Sequence, residues 1–284
     1  AFALAAACLA APAGLSAQPP VISRGYQIKV PSEAAGLELS NQSDLWVLEV
    51  QMKPVRMLWT DITDPVTKKK SRELVWYLVY KAINRPLDRQ QDTSDTDPVN
   101  EEDPPPGPPM FIPEFTLVTT DGGVQQAYAD QIIPEAQAVI SSRERQALGN
   151  AVEVIGPVPA ETPHETEPQA GEVIHGIVTW RGIDPETDYF TVYLTGFSNG
   201  FRIINGPDGQ PLVLRKTVVQ DFWRPGDEFE QTEREVRVES AARWEYRPDD
   251  PGAIASVPPG AVRPEGEQAV PADADGAAAA PAQP

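Results

Sequence analysis

Histidine most often moves protons or holds metals at neutral pH, and this chain carries 2, His164 and His175. His164 lies in a segment rich in Pro and Glu. His175 lies in a strand-like run beside Ile174 and Ile177, with no partner at a spacing that would define a catalytic or metal-binding role. No HExxH, GxSxG, Walker A, GxGxxG or kinase-type signature occurs. A pair of carboxylates could cleave a glycosidic bond without imidazole, and Asp184, Glu186 and Asp188 are the closest such cluster. Among 42 acidic residues, however, clusters of this kind are the ordinary content of solvated turns. The run Asp92, Asp95, Asp97, Glu101, Glu102 and Asp103 offers hard oxygen ligands for calcium. It lacks the residue order and the glycine of an EF-hand loop, and no nonapeptide repeat is present. The expectation is therefore a noncatalytic protein with no catalytic residues, no cofactor and no metal site.

The 6 tryptophans are the other residues that could recognise a ligand. Trp46, Trp59, Trp76 and Trp180 sit in strand-like runs and are expected in the core. Phe222-Trp223 and Trp244-Glu245-Tyr246 flank a turn and the domain end, where rings could face a partner or a glycan; packing is the favoured reading there too.

Composition narrows the partners. With 23 basic against 42 acidic residues the formal charge is -19, which repels nucleic acid and anionic lipid. Residues 1–17, AFALAAACLAAPAGLSA, are small and apolar and resemble part of a signal peptide, predicting export. This run is too short for an ordinary spanning helix, and no other segment approaches the roughly 20 apolar residues a bilayer crossing needs. Cleavage after Ala17 would remove Cys8, the single cysteine, and with it all thiol chemistry. Leu4-Ala5-Ala6-Ala7-Cys8 loosely resembles a lipobox, but Ala5 stands where that pattern has Leu, so cleavage is favoured over a lipid anchor at Cys8.

The elements that would position any site are short runs of β-branched and aromatic residues separated by turn residues. Gly25 to Val30 alternates as a half-exposed strand. In Leu45 to Ile62, Trp46, Leu48, Val50 and Met52 share one parity. Val55, Met57 and Trp59 share the other, and Pro54 lies between, which predicts an edge or a bulge. Leu74 to Tyr80 is apolar on both parities, as in a central strand with both faces covered, and Lys68 to Lys70 before it fit a solvated hairpin loop. Phe111 to Thr120, a turn at Asp121-Gly122-Gly123, and Val124 to Ile133 predict a hairpin. Pro134 to Gly149 predicts one short amphipathic helix through Ala136, Val139, Ile140, Ala147 and Leu148. Val173 to Trp180, Tyr189 to Thr195 and Phe201 to Ile204 follow as strands. Leu212 to Phe222 and Phe229 to Tyr246 predict a closing hairpin around Arg224-Pro225-Gly226-Asp227.

These runs make one mainly β domain over 18–248, an antiparallel sandwich with one short helix. Acidic or Pro-rich insertions near 85–110 and 156–171 and the tail 249–284 have the composition of disorder. Phe115 to Gly123 together with Gly171 to Trp180 resembles the immunoglobulin-like sandwiches of exported bacterial proteins, where a strand ending in an Asp-Gly turn is followed by a Gly-Glu turn and a Val-rich strand. Around Val219-Gln220-Asp221-Phe222-Trp223-Arg224-Pro225-Gly226-Asp227 the chain resembles uncharacterised secreted proteins of planctomycete-type bacteria. The resemblance implies an immunoglobulin-like fold and an extracytoplasmic compartment, and brings no catalytic residues. The functional expectation is a noncatalytic cell-envelope module that presents loops or strand edges to an envelope protein. The alternative is a carbohydrate-binding or glycan-hydrolysing domain using the Asp184 loop and Trp223. A periplasmic solute-binding architecture lacks support, because its alternating strand-helix pattern is missing.

Overall fold

The computed structural model describes residues 25–64, 66–87, 109–121, 124–206, 210–224 and 236–248. Residues 1–17 with Cys8, the acidic run 92–103, Gly122-Gly123, residues 225–227 and residues 249–284 lie outside them.

Strand β4 (Lys70–Asn84) organises the first sheet, and its sequence explains why. Its even residues Trp76, Leu78, Tyr80 and Ala82 enter one hydrophobic cluster, and its odd residues Val75, Tyr77 and Val79 enter another. Side chains alternate across a strand, so consecutive apolar residues require cover on two faces. On one edge β4 pairs with β2 (Leu48–Met52) and β3 (Arg56–Thr63), and on the other with β9 (Val173–Arg181). Strand β1 (Ile28–Val30) extends the sheet beyond β2.

The interruption at Pro54 is a bulge. Met52 stands opposite Tyr80 and Arg56 opposite Tyr77, so one strand advances an extra residue against its neighbour. Leu48, Val50 and Met52 before the bulge, and Val55 and Met57 after it, therefore fill the same core despite their change of parity. The opposite face gains from the same slip. Lys53 and Arg56, three residues apart, both reach Glu144, with Arg56 Nη1 at 3.1 Å from its carboxylate.

The second sheet is built on β12 (Pro211–Trp223). Strands β10 (Tyr189–Thr195) and β11 (Phe201–Asn205) pair along one edge of it, and β13 (Arg237–Val238) and β14 (Arg243–Pro248) along the other. Beyond β10 come β6 (Glu114–Thr119) and β7 (Gln126–Ala129), paired as the expected hairpin. A small ladder joins β5 (Met110–Phe111) to β8 (Gly156–Pro157). Every pairing between these strands is antiparallel.

Phe115, Leu117, Phe190, Val192, Val218 and Phe222 of the second sheet meet Trp76, Tyr80 and Trp180 of the first across the main core. Trp76 meets Phe190 edge-on, with ring centroids 5.2 Å apart. Helix α2 (Pro134–Glu144) covers the other face of the first sheet with Ala136 and Ile140, giving the odd residues of β4 their cover. No helix among the described residues is long and apolar enough to cross a membrane.

Several expectations change. Helix α2 stops at Glu144, where Arg145 turns left-handed at φ 53°, so Ala147, Leu148 and Gly149 lie beyond it. Val139 is exposed, leaving Ala136 and Ile140 as its buried residues. The sequence predicts one helix, but a second, α1 (Gly36–Asn41), is present. Trp59 is 48% exposed because it lies toward the far end of β3, opposite Leu74, beyond the main core. The closing hairpin is interrupted between β13 and β14 at 239–242, and Val238 is exposed. The Pro-rich connector 156–171 has fixed partners. Buried Arg85 donates to the carbonyls of Thr162, Pro163 and Thr166, and Thr162 N–H bonds Asn84 O at 2.8 Å.

Between β10 and β11 the chain leaves the second sheet and crosses to the first. Leu48 N–H donates to Phe197 O at 2.9 Å, Trp46 N–H to Asn199 Oδ1 at 2.8 Å, and Ser198 Oγ to Trp46 O at 2.8 Å. Phe197 is fully buried and sits edge-on to Tyr80 and Phe111. Gly196 begins this crossing at φ +86°, with its missing Cβ pointing at the Ile112 carbonyl. Gly196→Ala would meet both a left-handed backbone and a backbone clash, and is expected to destabilise the fold by about 1–3 kcal/mol, read as a lower urea midpoint with unchanged slope.

Candidate functional site

Helix α1 is short and lacks a polar N-cap side chain, so its stability comes from what lies beneath it. Glu38 is the link. Its carboxylate accepts the Ala35 N–H at 2.6 Å, completing the helix's first turn, and then reaches into the second sheet. There it accepts two hydrogen bonds from Lys216 Nζ, at 3.0 and 3.1 Å, and one from the Tyr246 hydroxyl. Lys216 also donates to Glu33 O at 2.7 Å. Glu38, Lys216 and Tyr246 are all buried.

Burial alone would raise the Glu38 pKa, but hydrogen bonds from Tyr246, Lys216 and Ala35 and the Lys216 charge outweigh it and hold the carboxyl below its usual range. On Lys216 burial outweighs the attraction of Glu38 and lowers the pKa. The geometry decides for an ionic pair at neutral pH, since both carboxylate oxygens lie within hydrogen-bonding distance of Nζ.

Above this pair, between α1 and β11, lies a cavity of about 470 Å³. Leu37 and Leu45 form one wall, strand β11 from Phe201 to Ile204 the other, and Glu38 and Tyr246 line it from below. The size suits a bound side chain or small ligand. Arg202 also lines it, with its guanidinium 4.3 Å from the centre of the Tyr246 ring. No described carboxylate forms an ion pair with Arg202, whereas Glu38 is already saturated. The cavity thus combines apolar walls with a cation that hydrogen-bonds the Tyr246 hydroxyl and has no carboxylate partner among the described residues, a chemistry suited to binding.

The backbone of β11 adds a second feature. Lys216 N–H bonds Gly200 O at 2.8 Å and Gly206 N–H bonds Gln210 O at 2.7 Å, which fixes the ladder's phase. Residues 200, 202, 204 and 206 therefore turn their polar groups toward β12, and Phe201, Ile203 and Asn205 turn theirs to the opposite edge. Among the described residues no strand pairs with that edge. Phe201 and Ile203 are 51% and 62% exposed, and with exposed Val213 they form an apolar strip beside it.

The residues singled out in the sequence fall elsewhere. Asp184 accepts the Glu186 N–H at 2.9 Å and its carbonyl accepts the Thr187 N–H at 3.1 Å, the bonding of a turn. Trp223 stands opposite exposed Tyr189, next to Asp188, and the Arg237 guanidinium covers its ring at 5.3 Å. His164 is exposed and donates to Pro86 O at 2.9 Å. His175 is half-buried on β9, its pKa lowered by burial and by Lys81. Among the described residues no three His, Cys, Asp or Glu side chains group closely enough to hold a metal ion.

On the outer face of the second sheet, Asp221 accepts from Thr191 at 2.8 Å, Ser240 at 2.8 Å and Arg243 at 2.6 Å, while Glu245 bridges Arg243 and Arg247. Burial would raise the Asp221 pKa, but those three donors prevail and lower it. This network is saturated and offers no poised acid.

Sequence reading missed Glu38, Lys216 and Arg202. One signal was available: Lys216 and Gln220 share parity with Leu214, Val218 and Phe222, so polar groups stand on the core-facing side of a strand.

Glu38 has a depressed folded pKa, so the stability it contributes is complete above its usual value near 4.5 and is lost as pH falls through the folded value. Glu38→Gln removes that contribution and leaves Lys216 buried without a counter-charge. Its expected cost at neutral pH is about 3–5 kcal/mol. The stability gap to wild type should narrow on acidification from about pH 5 to pH 3, measured by urea unfolding at each pH. A gap independent of pH would overturn the assignment.

Comparison with known proteins gave no match to any family model, curated protein or solved structure.

Proposed function

We propose that this protein is a noncatalytic, exported interaction module of the cell envelope, an immunoglobulin-like sandwich that docks a partner along the outer edge of β11. The observation that carries the reading is the row of outward-turned backbone groups at Phe201 and Ile203 beside exposed apolar side chains. An exposed, apolar, unpaired edge is a template for another strand, and proteins that do not use such an edge usually shield it with charge, proline or a bulge. Two antiparallel sheets packed face to face support the immunoglobulin-like assignment. Export rests on the leader-like residues 1–17. The saturation of Glu38, Asp221 and Glu245 by donors fits a binding rather than a catalytic role.

Glycan binding is the second reading, favoured by exposed Tyr189 and half-buried Trp223 beside the Asp184 turn. A photo-crosslinking residue placed at Ile203 is expected to capture one defined envelope protein in intact cells, and the same residue at exposed Val152 is expected not to. Absence of protein adducts at Ile203, together with glycan-array binding lost in Trp223→Ala, would transfer the function to the Tyr189 end.

A further inference from the structure

Resting on the docking role of β11, we infer that the groove between α1 and β11 receives an extended peptide segment of a partner, added as a strand and carrying an acidic side chain opposite Arg202 with apolar residues on either side. The backbone supplies the first part of the argument. A strand laid along β11 would sit about 4.8 Å away and use the N–H and C=O groups of Phe201 and Ile203, which turn from β12.

Side-chain alternation then dictates the sequence such a strand needs. The residue opposite Arg202 points to the same face as Arg202, into the cavity above Tyr246, where the guanidinium has no described carboxylate partner. Its immediate neighbours, opposite Phe201 and Ile203, lie on the other face along the exposed apolar strip that Val213 continues. The residue opposite Ile204 returns to the cavity side, against Leu37 and Leu45. The complementary pattern is an acid flanked by apolar residues, with a further apolar residue two positions away.

Charge also argues against a second copy as the occupant. β11 reads Phe-Arg-Ile-Ile-Asn and contains no acid, so pairing β11 with β11 would leave both guanidiniums unpaired. The formal charge of -19 on each chain would oppose the approach. Proline is compatible with an edge strand whose N–H faces outward, so Ile203→Pro would keep the bonds from Arg202 and Ile204 to β12 and remove a donor the incoming strand requires.

The test uses the full chain and a fluorescent, N-acetylated, C-amidated heptapeptide with glutamate at its centre, valine on both sides of it, leucine beyond each valine and threonine at the ends. Its symmetry makes it complementary in either strand direction. Anisotropy titration is expected to show saturable binding at least 10-fold tighter than for the peptide with lysine at its centre. Arg202→Gln should remove this preference, and Ile203→Pro should abolish binding while the urea midpoint stays close to wild type.

Equal affinity for the glutamate and lysine peptides would overturn the acidic specificity. If Ile203 still cross-links a defined envelope protein, that result would leave the docking role standing. A concentration-dependent dimer in sedimentation equilibrium, dissociated by Ile203→Pro, would make the second copy the occupant and overturn the peptide. Failure of both the cross-linking and the peptide would remove docking at β11 altogether.

Discussion

Strand β4 needs cover on both faces, because Val75 through Val79 are consecutive large apolar side chains and a strand sends alternate residues to opposite sides. Each buried side chain of this size is worth about 1.5–3 kcal/mol. The second sheet meets Trp76, Leu78 and Tyr80, and α2 with its flanking residues meets Val75, Tyr77 and Val79. The layered order of helix, sheet and sheet follows from that demand. The bulge at Lys53–Val55 is its local counterpart. It lets one long segment keep its apolar residues on the core side while Lys53 and Arg56 anchor the end of α2 through Glu144.

Charged groups are then built into the packing instead of being kept at the rim. Lys216 lies on the inner face of β12 and is neutralised by Glu38, and this pair seats α1 over the end of the second sheet. Arg85 gathers three carbonyls from the connector and closes it against β4. Arg224 is buried too, donating to Pro185 O and resting against the Met57 sulfur at 4.0 Å. Such groups gain little net stability when satisfied, but removing one partner strands the other in a low-dielectric interior. They therefore fix which surfaces meet more than they add to the strength of the fold.

The groove between α1 and β11 follows from where α1 sits. Glu38 holds the helix over Lys216 and Tyr246, which sets the cavity between Leu37 and β11. The crossing through Phe197 to Asn199 ties β2 to the start of β11, so the strand is held at its start while no described strand pairs with its outer edge. Arg202 rests on the ring of Tyr246, the same tyrosine that binds Glu38, and so the cation is placed by the pair that positions the helix.

By itself the sequence determined the β character of the chain, the double-sided burial of Leu74 to Tyr80, the break at Pro54, the hairpin through Asp121 and the strands at Val173, Tyr189 and Phe201, because residue alternation and turn chemistry are local properties. It also carried a sign of buried charge in Lys216, though nothing local identified Glu38, 178 residues away, as the partner. Tertiary structure alone decided that Trp59 is exposed while Trp180 is buried, since strand preference does not say how far an opposing sheet extends. It likewise decided that α1 forms at all, because six residues without a side-chain cap become helical only when Glu38 finds Lys216. The groove belongs to this second class: its walls are distant in sequence, and its chemistry comes from an arginine that rests on Tyr246 and has no carboxylate partner among the described residues.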